Sequence, residues 1–517
     1  MDNIPPETFD LIVQNLEGPL SSYATISRKW QQAVEARTMS NVHIKSDNER
    51  LFDVIFGSAR RRALLKQLHY SIILPSYNEA RWMKLPKRSE GPANNAAFTE
   101  QVRGLFERLR AYGDANESAS IGLEINIGSP MDSYSPDPAA TVNEGTGPAR
   151  NNNTYISFDT PNPQPLPILK FITGFRLAGP RELHPTALGT VLNAIPSVEH
   201  ISWQMYGPEV RLLSQRQEIR SSLAHVLSAL EFSSLRYLDI YWHDASCGNN
   251  SWDAGSLLNP DTGIDELSVA LRTISRLPPL RTLKLHGKFI LGEEFFHIQP
   301  DSSTEKALWP SLEQLHLELS TITPAGGWYY TGDSSSIEPS TERSYDSEEE
   351  EEFIDSSDSE TADYPAVWEW EKLNGERPYH PWRDRPDPTT FDPLLLGMTK
   401  AIPQMPALRR LDFKMDHSSG TVFEATYLAA NEKNRNFNYL ESDAQSFDTQ
   451  HQGEARWEII MTNDLSPDDE DGTKSTNWHI SEDLKTAWRD STGKQDNVFL
   501  LDGGHAGNRV IVSASSE

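Results

Sequence analysis

Apolar residues return along the middle of the chain in a repeated phrase, at relative positions zero, three and five. Its clearest copies read PSVEHISW, PPLRTLKL, PSLEQLHL and PALRRLDF. Residues at positions three and five share one face of a β-strand, because side chains along a strand alternate. The copies are Leu65/Leu68/Tyr70, Ile172/Phe175/Leu177, Val198/Ile201/Trp203, Leu235/Leu238/Ile240, Leu280/Leu283/Leu285, Leu312/Leu315/Leu317 and Leu408/Leu411/Phe413.

Stretches with helical periodicity precede several copies of this phrase. They lie at 186–195, 221–230, 264–277 and 391–402. Each unit offers one apolar strand face and one helix, and it needs neighbouring units to bury them. The alternation therefore predicts an α/β fold with a largely parallel sheet and covering helices.

Other stretches extend this picture towards both ends of the chain. We expect strands at 42–44, 121–127, 457–461, 478–480 and 498–501, and helices at 47–62, 98–112 and 481–488. Residues 128–165 are rich in Ser, Pro, Asn and Gly and predict a long loop. Residues 418–517 no longer carry the repeated phrase, so we interpret them as an α+β cap over the end of the array.

Residues 4–35 predict a small bundle of short helices. Ile12 and Leu16 fall on one helical stripe, and Gly18-Pro19 ends that helix. A unit of this size covers little apolar surface by itself. Its apolar stripes therefore indicate a partner that buries the remainder.

At these residues the chain resembles the F-box. The matching positions are Ile4-Pro5-Pro6-Glu7, Ile12, Leu16, Leu20 and Ile26-Ser27-Arg28-Lys29-Trp30. The repeated phrase resembles leucine-rich repeats of the irregular kind that accompany an F-box in many proteins. Together these resemblances imply an F-box followed by an irregular solenoid and the C-terminal cap.

The resemblance also implies a function. The implied function is that of the substrate receptor of an SCF-type E3 ubiquitin ligase. Such a receptor binds an Skp-family adaptor and, through the adaptor, a cullin. Its repeat domain holds a target protein, which is unknown here. The adaptor contacts that it implies are Ile4, Pro5, Ile12, Leu16, Leu20, Ile26 and Trp30. Two plainer interpretations stay open: a helical N-terminal cap on the next domain, and a general α/β domain with parallel strands.

We divide the chain accordingly. Residues 1–38 form the F-box, 39–324 the repeat domain, 325–364 an acidic insert, 365–417 a Trp/Pro-rich segment with the last repeat, and 418–517 the cap. The insert contains the run 348–352 of five glutamates and is expected to be disordered. Ser347 and Ser357 each precede an acidic residue by three positions and are candidate phosphosites. A purely solubilising loop is the alternative for this segment.

Charge and cysteine usage narrow the function classes. With Lys+Arg 47 against Asp+Glu 75, the formal net charge is −28, which argues against nucleic-acid binding and against docking on anionic membrane. Cys247 is the single cysteine, so internal disulfides are excluded and a reducing compartment is favoured. No leader precedes the F-box-like helix and no apolar run approaches a bilayer span. We therefore expect an intracellular protein, cytoplasmic and/or nuclear.

The strand residues between the apolar positions form a mixed polar and aromatic strip, which is the chemistry of specific protein contacts. The candidate target-binding residues on it are His200, Tyr237, Asp239, Tyr241, Lys284, His286, His316 and Arg410. In leucine-rich repeats the matching face is the binding surface. A merely solvated sheet face is the alternative.

Motifs for catalysis are missing from the sequence. No Cys/His cluster has metal-ligand spacing, and there is neither a P-loop nor a Gly-x-Ser-x-Gly elbow. The glycine-rich run 503–507 is interpreted as a loop. We expect no catalytic residues, cofactor or metal, and hence a non-catalytic receptor subunit. The rivals are a protein-interaction scaffold that never enters a ligase, and an enzyme on an α/β repeat scaffold.

Overall fold

The computed structural model describes residues 8, 11–13, 15–81, 84, 86–115, 119–132, 151, 153–159, 164–243, 247–298, 307–340, 371–416, 421–432, 453–463, 480–492, 498–502 and 511–513. They form two compact units. The first comprises the described residues of Met1–Trp203 and Leu230–Leu235. The second comprises those of Gln204–Ala229, Arg236–Ser359 and Pro365–Glu517.

The first unit is built on a parallel sheet covered by helices. Its sheet strands, in spatial order, are β1 (Asn41–Lys45), β2 (Gln67–Ile73), β3 (Ile121–Gly128), β5 (Ile172–Ala178) and the first four residues of β7 (His200–Tyr206), whose last three residues, including Tyr206, belong to the second unit. A separate parallel pair joins β4 (Tyr155–Ile156) and β6 (Glu182–Leu183). The helices are α1 (Ser21–Ala24), α2 (Arg28–Thr38), α3 (Arg50–Ile55), α4 (Ala59–Arg62), α5 (Glu90–Asp114) and α6 (Pro185–Asn193). The alternation of the predicted strands is confirmed, since β2 and β3 bury every second residue.

Three predictions for this unit need correction. The helix expected at 47–62 is divided into α3 and α4, because Gly57 disfavours a helix interior and Ser58 caps α4 by accepting a hydrogen bond from the backbone N–H of Arg61 at 3.3 Å. The helix expected at 98–112 begins at Glu90 instead. The stretch 128–165 was expected to be loop only, but it contains β4, which pairs with β6.

The second unit also carries a sheet whose first part is parallel. β8 (Tyr237–His243), β9 (Thr282–Phe289), β10 (Gln314–Leu319) and β13 (Arg410–Asp416) pair in this order, all parallel. The residues at positions three and five of each repeated phrase are buried in these strands, as Leu283 and Leu285 illustrate in β9. A small antiparallel pair joins β11 (Tyr330–Gly332) and β12 (Arg383–Pro386). The largely parallel α/β architecture predicted from the phrase is confirmed in both units.

Three of the helices in the second unit follow the predicted positions. They are α7 (Leu213–Ala229), α8 (Glu266–Ser275) and α9 (Phe391–Ala401). Helix α7 starts eight residues before the expected 221, and its early turns bury the charged Arg216 and Arg220, which periodicity of apolar residues does not reveal. Short 3₁₀ turns occur at Ser46–Asn48 and Glu79–Arg81 in the first unit, and at Glu293–Phe296 and Ile402–Gln404 in the second.

The C-terminal region of the second unit continues the sheet with a changed direction. Strand β14 (Thr421–Leu428) is antiparallel to β13, and β15 (Arg456–Asn463) is antiparallel to β14. Strand β16 (Val498–Asp502) is parallel to β15 and β17 (Ile511–Ser513) is antiparallel to β16. Helix α10 (Glu482–Thr492) is capped by Ser481 as expected, since the Ser481 hydroxyl accepts from the Leu484 N–H at 3.4 Å.

Some predictions fall wholly or partly outside the described residues. They concern Ile4 and Pro5, most of the acidic insert with Ser347 and Ser357, all but the last residue of the strand expected at 478–480, and the glycine-rich run 503–507.

Candidate functional site

The N-terminal helical segment, which we define as residues 11–38, has a small core of its own. Val13, Ala33 and Val34 are buried, and partly buried side chains, among them Leu16, Leu20 and Trp30, pack against them. The indole of Trp30 stacks on Tyr23 with ring centroids 5.8 Å apart. Ser27 starts α2 by accepting a hydrogen bond from the Trp30 N–H at 3.4 Å. Three predicted adaptor contacts therefore also hold this segment together.

Other apolar side chains of the segment face solvent. Leu11 is 59 % exposed, Ile12 37 % and Ile26 58 %. Two of these, Ile12 and Ile26, are predicted adaptor contacts. Exposed apolar residues are common singly, but a concentration of large ones in one short segment marks a surface suited to a partner.

A buried carboxylate ties the segment to the rest of the first unit. Glu35 on α2 is only 6 % exposed and forms ion pairs with Arg60 and Arg61 of α4, the latter at 3.0 Å. The Arg37 guanidinium donates to the carbonyl of Val13 within the segment itself. The helical segment is thus fixed to the α/β body by charge-assisted hydrogen bonds.

The second candidate surface is the face of the second unit's sheet opposite its apolar core. We call it the polar face and define it by the partly exposed residues of β8, β9, β10 and β13. Seven of the eight predicted target-binding residues lie on it, namely Tyr237, Asp239, Tyr241, Lys284, His286, His316 and Arg410. His200 lies on β7 in the first unit, where it is exposed.

Asp239 organises the β8 side of the polar face. Its carboxylate accepts a hydrogen bond from the Tyr237 hydroxyl at 2.8 Å and lies 2.7 Å from Nε2 of His286. Burial by itself would raise the pKa of Asp239, but the hydrogen bonds from His286 and Tyr237 and the charge of Lys284 outweigh it and hold the pKa below its ordinary value. Burial and the bond to Asp239 raise the pKa of the Tyr237 hydroxyl.

Asp412 plays the same part on β13. Arg410 holds it with two hydrogen bonds of 2.7 and 2.8 Å, and His316 Nδ1 lies 3.9 Å from its carboxylate. Burial opposes ionisation, yet the nearby His316 imidazole and the two hydrogen bonds from Arg410 keep the pKa of Asp412 below its ordinary value. The rings of His286 and His316 meet edge to face at 6.1 Å, so the two Asp–His pairs adjoin each other across the strands.

Aromatic rings gather where β8 ends. Tyr241 lies 6.3 Å from the ring of Tyr206 and 6.4 Å from that of His243, and the rings of Tyr206 and His243 are 5.6 Å apart. All three side chains are partly exposed. Tyr206 and His243 are not among the target-binding residues predicted from the sequence. Strand alternation nevertheless points to both, because Tyr206 lies two residues after Gln204 and His243 lies two residues after Tyr241.

Acid–base side chains converge on the polar face, and two cavities in the described part of the chain lie elsewhere. One, of about 380 Å³, lies between α9 and α10 and is lined by Lys400, Asp483 and Asp490 among others. The other, of about 230 Å³, adjoins Arg220 and Asp265. The polar face itself offers hydrogen-bonding groups and partly exposed rings.

Two further findings concern the described ranges alone. These residues contain no group of three or more His, Cys, Asp or Glu side chains arranged to hold a metal ion. None of the helices there combines the length and apolar character that a bilayer span requires.

No protein-family model matches the chain, and no curated protein matches it either.

Proposed function

We propose that this protein is the substrate-recognition subunit of an SCF-type E3 ubiquitin ligase. An Skp-family adaptor would bind the N-terminal helical segment and connect it to a cullin. A target protein would bind the polar face of a leucine-rich-repeat-like domain. The chain would make no bond itself; holding the target close to the ubiquitin-carrying enzyme raises its effective concentration.

One observation carries the adaptor half of this function. The segment that resembles the F-box leaves Leu11, Ile12 and Ile26 exposed while burying Val13, Ala33 and Val34. Full burial of one such side chain on a partner contributes about 1.5–3 kcal/mol. By the relation between free energy and affinity, that corresponds to roughly ten- to hundred-fold in the dissociation constant.

The target half is supported by the repeated phrase. Its copies supply strands β2, β5, β7, β8, β9, β10 and β13, whose phrase residues at position five include the buried Leu177, Trp203 and Ile240. Units of one strand and one helix that bury each other's faces are the basis of repeat architectures. The opposite face is left to carry recognition residues.

Affinity capture with a point variant tests the adaptor contact directly. The full-length protein, tagged at its C-terminus, is captured from its own cells as wild type, as Ile26→Asp and as Ile168→Asp, and the eluates are quantified by mass spectrometry. Ile168 is the matched control because it is 54 % exposed in the same unit but lies outside the segment. Both changes place one carboxylate at an exposed isoleucine, so both are expected to fold.

We expect adaptor and cullin to co-purify with wild type and with Ile168→Asp, and to fall at least ten-fold with Ile26→Asp. Capture of neither protein by wild type would refute the receptor function. Trp30→Ala is the less informative variant, because Trp30 also packs into the segment's own core.

A scaffold that does not assemble a ligase is the second candidate. The structure describes five of the seven predicted adaptor contacts. Three of these, Leu16, Leu20 and Trp30, pack within the segment itself, as the residues of a structural cap would. Adaptor in the wild-type eluate without any cullin, or neither protein, would favour this candidate.

A further inference from the structure

Most charges at the centre of the polar face are already paired with one another. Asp239 is bonded to His286, and Arg410 is bonded to Asp412. Lys414 lies 2.9 Å from Asp416, and the Lys284 ammonium lies 5.5 Å from the centre of the Tyr237 ring. A target that bound these groups would first have to break contacts within the sheet. Replacing an exposed ion pair within the protein by an exposed ion pair with the target gains little free energy.

The aromatic corner, which we define as Tyr206, Tyr241 and His243 together with Glu318, is built mainly from rings. Its three rings lie within 5.6–6.4 Å of one another and are partly exposed. Burial and then the negative charge of Glu318 raise the pKa of the Tyr241 hydroxyl, so this carboxylate acts on the corner electrostatically. Clustered tyrosines are typical of interface hot spots.

The backbone beside the corner is specialised. Gly287 and Lys288 both have positive φ, of 86° and 71°, and the register of β9 with β10 shifts here. A side chain at Gly287 would bring its Cβ within 2.8 Å of the Tyr241 ring, while the Gly287 N–H donates to Glu318 at 3.3 Å. Bulges and left-handed non-glycine residues concentrate at functional sites. The corner also lies at the carboxyl ends of parallel strands, where open α/β sheets bind ligands.

The charge balance indicates which kind of ligand fits. The carboxylates on β8, β9, β10, β13 and the adjoining β14 are Asp239, Glu318, Asp412, Asp416 and Glu424, five in all, against the four lysines and arginines Lys284, Lys288, Arg410 and Lys414. The whole chain carries −28. Such a field attracts and orients a basic partner. Aromatic faces beside a carboxylate are a favourable setting for a guanidinium, which stacks on rings and pairs with oxygen at once.

We infer that the aromatic corner binds an arginine side chain presented by a basic segment of the target protein. The guanidinium stacks on Tyr206 or Tyr241 and is neutralised by Glu318. This recognition rests on the proposed role of the polar face as the target-binding surface, and it is independent of the F-box half of the proposed function.

The test uses defined peptides rather than an unknown target. A fluorescein-labelled peptide of four alternating arginine and glycine pairs is titrated with the full-length protein and followed by anisotropy. Its citrulline counterpart keeps the shape of arginine and removes the charge, and a glutamate counterpart reverses the charge. The protein is used as wild type, Tyr241→Leu, Tyr241→Phe, Glu318→Gln and Tyr155→Leu. Tyr155 is a partly buried tyrosine of the first unit that contacts His184, so it controls for loss of a ring elsewhere.

We expect the arginine peptide to bind wild type, Tyr241→Phe and Tyr155→Leu equally. Tyr241→Leu and Glu318→Gln should each weaken it about three- to thirty-fold, the range of a cation–π contact. The citrulline peptide should bind at least ten-fold more weakly than the arginine peptide. An unchanged thermal unfolding midpoint shows that a variant is folded. If Tyr241→Leu is not folded, the affinity of Glu318→Gln for the arginine peptide tests the inference by itself.

Equal binding by Glu318→Gln and wild type would overturn the inference, because attraction would then come from the diffuse charge of the chain. Equal affinity for the arginine and citrulline peptides, no arginine-peptide binding at all, or preference for the glutamate peptide would overturn it too. The assay contains no adaptor, so any of these outcomes leaves the capture result with Ile26→Asp standing by itself.

Discussion

Replacing Asp265 with asparagine should destabilise the second unit by about 3–5 kcal/mol. Asp265 precedes α8 and binds Arg220 of α7 through three hydrogen bonds of 2.7–3.0 Å. The Arg220 and Asp265 side chains are only 6 % and 1 % exposed. Asparagine keeps the shape of aspartate but leaves the guanidinium buried without its counter-charge, and such a group costs more to bury than a neutral one.

A surface pair of similar geometry serves as the control. Arg281 and Glu313 lie 2.7 Å apart, but their side chains are 61 % and 30 % exposed. Because water screens this pair, Glu313→Gln should cost less than about 1 kcal/mol. The double variant Arg220→Met/Asp265→Leu removes both buried charges together and should recover much of the loss from Asp265→Asn. The contrast isolates burial, since charge type and separation are alike.

Urea unfolding at 25 °C, followed by tryptophan fluorescence and by circular dichroism, measures these differences. Each free energy of unfolding is taken from the midpoint and slope of the transition that reports the second unit. The reasoning would be refuted if Asp265→Asn lost no more stability than Glu313→Gln. It would also be refuted if the double variant were less stable than Asp265→Asn.

Three further predictions concern other parts of the second unit. The pKa of Asp239 is lowered in the folded state. The carboxylate's contribution to stability is therefore complete above the unfolded pKa of about 3.9 and is lost as the pH falls through the folded pKa. Asp239→Asn should lose less stability than wild type between about pH 5 and pH 2, measured by urea midpoints. Gly287→Ala should cost about 1–3 kcal/mol in the same unfolding assay, because Gly287 has a φ of 86° and no room beside Tyr241; a neutral effect would contradict it. Trp309 is fully buried and donates a hydrogen bond to Ser275 at 2.7 Å, so Trp309→Ala should cost about 3–5 kcal/mol, and a thermal midpoint like that of wild type would contradict this expectation.

The strands of the sheet were predictable because one local rule decides them. In PPLRTLKL, alternation alone places Leu283 and Leu285 on one face, and both are fully buried. The same rule put Asp239 and His286 on the opposite face, so most of the polar face could be found without a structure. Helix existence was equally readable, since a stripe of apolar residues repeats with helical period in α8 and α9.

The remainder depends on relations that the local pattern does not contain. Arg220 and Asp265 are 45 residues apart, and no periodicity of apolar residues links two charges at that distance. The division of α3 from α4 depends on Gly57 and Ser58, and the stripe of apolar residues continues across both of them without marking a break. The direction of β14 is likewise a matter of pairing, because an alternating strand fits a parallel or an antiparallel neighbour equally well.

The aromatic corner shows why a list of polar strand residues is not yet a binding site. Alternation identifies which side chains face outward, but it does not indicate which of them form hydrogen bonds or ion pairs with one another. In the structure Asp239 and His286 satisfy each other, whereas Tyr241 joins two rings from outside the predicted set. Pairing at the centre stabilises the sheet and lowers the gain from any new contact there. Under the proposed arginine recognition, binding energy would therefore concentrate at the edge of the charged region, where rings are available for contact.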